Sequence, residues 1–134
     1  MTKHFTLEEL TRSSFASRNN IDNTPNSSVL LTLYDSAINL EYLRVLLGNH
    51  PILITSGYRN YAVNKGAGGS PTSSHMSGSA FDIEFINNRT IQENVNVLLQ
   101  SKFNYDEIIV YSSYIHISFR KPFRFKCVYK TNIL

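Results

Sequence analysis

Between Val29 and Leu47 the apolar residues Leu30, Leu33, Ala37, Leu40, Leu43 and Leu47 recur at steps of three and four, and the pattern stops before Gly48. That spacing lays them along one stripe of a helix with a glycine at its end, so an amphipathic helix is predicted over residues 29–47. Two shorter helices are announced by their caps. Thr6 with Glu9, and Thr90 with Glu93, have the capping-box spacing in which each side chain satisfies the other residue's backbone N–H. They predict helices starting at Leu7 and running from just after Thr90 to about Ser101.

Elsewhere the period falls to two. In AFDIEF, Phe81, Ile83 and Phe85 alternate with Asp82 and Glu84, which predicts a strand with one buried face and both carboxylates on the other. PILITS is a short β-branched apolar run, and YDEIIVY, YIHISF and RFKCVY give three more strands, close enough in sequence for hairpins to join them. IDNTPNSS reads as a loop, whereas SGYRNYAVNKGAGG starts as a turn, has room for one helical turn and then dissolves into glycine. Helices come first and most strands last, so the expected class is α+β, a mostly antiparallel sheet with helices packed on one side.

Length and composition narrow this further. A chain of 134 residues suits a single domain, residues 1–134, with one core and one site. At 42% apolar and 17% charged residues it has globular composition, and no apolar run is long enough for a membrane span. MTKHFTLEEL has no apolar segment of secretory type, so no signal peptide and synthesis in the cytoplasm are expected. The net charge of +3 is mild, and basic residues are scattered until SFRKPFRFKCVYK. This is too sparse for nucleic-acid binding and compatible with weak attraction to an anionic polymer such as a cell wall. Cys127, the lone cysteine, cannot form an intrachain disulfide and is expected to be a buried structural thiol of the last strand. A monomer is expected.

The candidate chemistry lies in SPTSSHMSGSAFDIEF and YIHISF. In the second, Tyr114, His116 and Ser118 alternate with Ile115, Ile117 and Phe119, so His116 shares a strand face with polar neighbours and is expected to face a cleft. With His75 and Asp82 it offers two imidazoles and a carboxylate; three protein ligands and one open position are the pattern of catalytic zinc. The same set describes the facial triad of a non-haem iron oxygenase. Spacing alone decides little, because exposed loop histidines and turn-stabilising aspartates are ordinary. His4, ahead of the first helix, and His50, in a GNHP turn, read as solvated or capping residues.

ITSGYRNYAVNKGAGGSPTSSHMSGSAFDIEF followed by YIHIS resembles the zinc D-alanyl-D-alanine carboxypeptidases and related phage endolysins, and most closely their small single-domain branch. FTLEELTRSSFASRNNIDNTP resembles the N-terminal helical part of that branch, so the likeness covers all but about the last fifteen residues. It implies one Zn²⁺ per chain, held by His75 and Asp82 of the SxHxxGxAxD pattern and by His116. Ser73, Gly78 and Ala80 fall at the accompanying places. It also implies that Arg59 of SGYR holds substrate near the metal, a role suited to a planar guanidinium fork facing a peptide carboxylate or carbonyl. A structural ion pair is the alternative for Arg59. Ser73 and Tyr114 are expected to touch substrate.

The family commonly places a general-base carboxylate a few residues before the last ligand and a Trp two before it. Here Tyr114 stands for the Trp, and Val110 to Ser113 offer no carboxylate; the nearest are Asp106 and Glu107. Glu107 is therefore the candidate base, with Glu84 second, since a base must reach the reacting water directly or through one water. The activity implied is that of a zinc peptidase cleaving peptidoglycan stem peptides at or beside D-alanine. It would act at the bacterial wall when released by lysis or carried in a virion, or serve in wall recycling. The rival reading is a degenerate relative that binds zinc or wall peptide without cleaving.

Overall fold

The computed structural model describes residues 1–130. The chain opens with two short helices, α1 (Leu7–Thr11) and α2 (Ser14–Arg18), then the long α3 (Ser27–Leu46), strand β1 (Ile52–Ser56) and helix α4 (Tyr61–Gly66). A 3₁₀ turn (Ser74–Ser77) leads into β2 (Ala80–Phe85), followed by α5 (Ile91–Gln100), β3 (Glu107–Val110), β4 (Ile115–Ser118) and β5 (Lys126–Tyr129).

Both predicted capping boxes form. Thr6 Oγ1 accepts the Glu9 N–H while Glu9 accepts from Thr6 N–H, each at 3.1 Å, and Thr90 and Glu93 repeat the exchange ahead of α5. Helix α3 starts two residues before the predicted Val29, because the Asn26 side chain accepts the Val29 N–H and lets the polar Ser27 and Ser28 join the first turn. It ends where predicted, with Gly48 at φ +88°. Its stripe of Leu33, Ala37, Leu40, Leu43 and Leu47 is buried, whereas Leu30 in the first turn is half-buried. His4 ties the N-terminus to this helix: its backbone N–H and Nδ1 reach the two Glu41 oxygens, both at 2.7 Å. The exposed His50 sits in the turn after α3.

The sheet is α+β in setting, with strand order β1-β2-β4-β3-β5 and three antiparallel pairs. Its inner face presents Ile54, Phe81, Ile83, Ile108, Ile115 and Ile117 to the stripe of α3 and to Val95 and Leu98 of α5. The predicted hairpins are half right. Strands β3 and β4 do form one, closed by Tyr111 N–H donating to the Tyr114 carbonyl at 2.9 Å. Strand β5 is instead parallel to β3. The reason is edge availability: β4 already has β2 on one side and β3 on the other, so the returning chain must cross the start of β3 to reach a free edge. Asp106 anchors that crossing. Its N–H donates to the Ser118 carbonyl at 2.8 Å, its carbonyl accepts from Lys126 N–H at 3.0 Å, and its buried carboxylate takes the Arg124 guanidinium at 2.7 and 3.0 Å. Cys127, on β5, is half-buried, and burial pushes its thiol pKa up.

Candidate metal centre

The outer face of the sheet carries the polar residues, and strand register brings the chemistry together there. Asp82 of β2 stands directly opposite His116 of β4, and Ser56 of β1 stands opposite Asp82 past an irregularity that leaves Thr55 out of step. His75 comes from the 3₁₀ turn. Ser73 caps that turn by accepting the His75 N–H at 3.1 Å, and Gly78 closes it at φ +79°, a left-handed conformation that costs glycine little. Ser36 of α3 donates to the Gly78 carbonyl at 2.8 Å, which pins the loop to the helix behind it.

His75 is buried, and its Nδ1 lies 2.8 Å from the Gly57 carbonyl. A carbonyl only accepts, so Nδ1 carries the proton and Nε2 keeps its lone pair for a ligand. That Nε2 is 3.3 Å from Asp82 Oδ1, and His116 Nδ1 is 3.0 Å from the same oxygen. One ligand atom from each of the three residues lies within 4.8 Å of the others. Tetrahedral zinc with bonds of about 2.0–2.2 Å needs ligand atoms about 3.3–3.6 Å apart. The donor set, its spacing and the fixed His75 tautomer therefore fit such an ion. Burial works to raise the Asp82 carboxyl, but hydrogen bonds and charge from His116 and His75 outweigh it and hold the group well below the usual carboxylate range. His116 and Asp82 keep about 15% of their side-chain surface exposed, so the centre is open on one side.

Arg59 borders the centre. Its backbone N–H donates to the His75 carbonyl at 3.1 Å, Nε donates to Ser56 Oγ at 3.0 Å, and Nη2 lies 3.4 Å from Asp82 Oδ2. Nη1 is 3.4 Å from Oδ1 of Asn64, a buried residue of α4 whose Nδ2 donates to the Ser70 carbonyl at 2.8 Å. The ion pair and a position facing the metal centre thus coexist.

The centre forms the floor of a cavity of about 710 Å³. Glu107, Ile109, Tyr111 and Tyr114 line one wall, the 67–74 loop including Ser73 lines another, and Arg120, Lys121 and Arg124 stand at one end. Tyr111 and Tyr114 bracket the β3–β4 turn as a stacked pair, centroids 4.6 Å apart and planes at 13°. Burial, then the Asp82 charge, raises the Tyr114 pKa, so its phenol stays neutral and able to donate. Glu107 lies two residues from Ile109, the partner of His116, and pairs with Lys126 Nζ at 3.4 Å. Such a diagonal neighbour is about 7–8 Å away between backbones, within reach of a long side chain. Glu84 shares the face of Asp82 but lies opposite Leu53 and outside the cavity lining. Asp106 lines the cavity with its carboxylate taken by Arg124 and Ser118.

Four residues that shape the centre were not singled out by sequence: Gly57, which holds His75, Ser56 and Asn64, which hold Arg59, and Tyr111. Ser56, Gly57 and Tyr111 sit at strand ends and Asn64 in a six-residue helix, segments too short for periodicity to carry a signal. A family model for Peptidase M15 matches residues 3–118, a span that contains His75, Asp82, His116, Arg59 and Glu107. No curated protein matches the chain.

Proposed function

Since the match spans most of its length, the chain belongs to the M15 peptidase family and is a metallopeptidase, and from that premise we propose that residues 1–134 form one zinc peptidase domain cleaving peptidoglycan stem peptides at or beside D-alanine. The observation that carries this reading is the convergence of His75, Asp82 and His116 on the floor of an open, polar cavity. A bound Zn²⁺ would supply Lewis acidity and a water of lowered pKa.

The chain's own residues do the rest. Arg59, held by Ser56 and Asn64, orients the substrate carbonyl or carboxylate beside the metal ligands. Glu107 is the general base, taking the proton from the attacking water directly or through a second water, after its carboxylate swings from Lys126. Tyr114, a neutral phenol, donates a hydrogen bond to the peptide from the side wall. Ser73 accepts the His75 N–H and so keeps its own O–H for the peptide on the opposite wall. The protein works at the bacterial wall, reached by lysis or within a virion.

A second reading, wall-peptide binding without hydrolysis, draws on one observation: the Glu107 carboxylate is engaged by Lys126. One experiment separates the two. Purified peptidoglycan is digested with zinc-loaded parent, Glu107→Gln and Glu84→Gln, and the products are read by mass spectrometry. The peptidase reading expects peptide cleavage by the parent, and a loss on the order of 10²-fold with zinc retained for Glu107→Gln. Zinc-loaded parent that stays bound to the peptidoglycan and yields no products would establish the binding reading. Loss in Glu84→Gln alone would move the base to β2.

A further inference from the structure

Among the ionic groups lining the cavity, most are answered locally. Asp106 is answered by Arg124, Glu107 by Lys126, and Asp82 by Arg59 and the two histidines. Arg120 and Lys121 remain: both line the cavity at the end beyond Glu107, both are exposed, and neither forms an ion pair among the described residues. They also stand on a tied-down segment. Phe119 is buried against Phe81 and Phe103, its N–H donates to the Ser79 carbonyl at 2.7 Å, and the Arg124–Asp106 fork fixes the chain five residues further on. The same two side chains line a second cavity of about 620 Å³ beside α3, so they crown a ridge between the two. They lie just past the 3–118 span matched by the family.

We infer that Arg120 and Lys121 form a specificity subsite for a carboxylate carried by the peptide substrate at a distance from the cleaved bond. The inference rests on the peptidase reading above for the identity of the ligand. Arg120 is four residues beyond His116, roughly 10–13 Å of extended chain, which an extended substrate spans in about three to four residues. Two cations carried on an anchored stretch of backbone suit a carboxylate, since the guanidinium offers a fork and the ammonium a mobile point charge. An amide at the same place would bring no charge and leave both cations unanswered, so discrimination comes from the ligand's ionisation.

The test uses zinc-loaded full-length protein and two synthetic stem peptides, identical except that the carboxylates remote from the D-alanyl bond are free in one and amidated in the other. Cleavage is followed by mass spectrometry and binding by NMR titration of the labelled protein, for the parent and for Arg120→Gln/Lys121→Gln. We expect the parent to favour the free carboxylate about tenfold in kcat/KM, equivalent to about 1.4 kcal/mol. That preference should shrink in high salt and vanish in the double variant with zinc content unchanged. Cleavage indifferent to amidation, with parent and variant alike, overturns the subsite and leaves the peptidase standing. Carboxylate-dependent binding without cleavage, lost in the variant, upholds the subsite and removes the peptidase. Absence of both binding and cleavage overturns both.

Discussion

Replacing Gly57 by alanine should weaken the metal centre although residue 57 contributes no ligand. A Cβ there would collide with the Leu10 carbonyl oxygen and lie 2.9 Å from its carbon. Carbon pairs settle at about 3.5–4.0 Å, so relief requires a shift of roughly 0.6–1 Å. Leu10 is fully buried and its carbonyl already accepts the Tyr58 N–H at 2.8 Å, so α1 yields poorly and the 57–58 backbone must move. The Gly57 carbonyl then retreats from His75 Nδ1, and a contact now at 2.8 Å passes beyond hydrogen-bonding distance. Loss of such a partner behind a metal-binding imidazole costs about 10–100-fold in affinity, or about 1.4–2.7 kcal/mol, while overpacking costs about 1–3 kcal/mol of fold stability. Zinc affinity is measured by competition with a chromophoric chelator, and unfolding by thermal melts with and without EDTA. Gly48→Ala is the control: it strains a positive φ far from the cavity, so it should lower the melting temperature and leave zinc affinity alone. If Gly57→Ala binds zinc within threefold of the parent, the Gly57 carbonyl does not orient His75.

His116→Ala should lose its zinc in metal analysis, whereas His4→Ala and His50→Ala keep about one ion per chain. Arg59→Lys should cut kcat/KM on wall peptides more than tenfold with zinc content unchanged, because lysine keeps the charge and loses the fork that spans Ser56, Asn64 and Asp82. Asp106 is held below its ordinary 3.8 by the Arg124 hydrogen bonds, so it contributes stability that is present above 3.8 and lost as pH falls through its lower folded value. Asp106→Asn should therefore melt several degrees lower at pH 7 and show a flatter melting curve against pH below 4.

How legible the molecule was depends on the kind of signal. Periodicity and caps report local burial and local hydrogen bonds, so α1, α3, α5 and the polar face shared by Asp82 and His116 were readable from residues alone. The 3₁₀ turn around His75 was not, because Ser73 and Gly78 shape it through one cap and one positive φ inside a run of small residues. The path of β5 was also hidden. Alternation in RFKCVY marks a strand, yet its parallel pairing with β3 follows from the occupied edges of β4 and from Asp106, an acidic residue whose partner Arg124 is eighteen positions away. The family pattern supplied the ligand set, and the register of β2 and β4 supplies the reason that set can assemble.

That register is the tightest link between sequence and activity. Asp82 and His116 are opposed only when Ala80 pairs with Ser118 and Ile83 with Ile115. Because side chains alternate with a period of two, a slip of one residue on either strand would send its ligand inward and bring isoleucine or phenylalanine out. The apolar set Phe81, Ile83, Ile115 and Ile117, each at 0% exposure, forbids that slip more firmly than any ligand could. The core therefore sets the spacing of the metal ligands through this register, with Asp82 Oδ1 lying 3.0 and 3.3 Å from the two imidazoles. Within that frame the Gly57 carbonyl fixes the His75 imidazole, so metal affinity turns on the contact that the Gly57 variant disturbs, whereas the Arg59 variant bears on substrate.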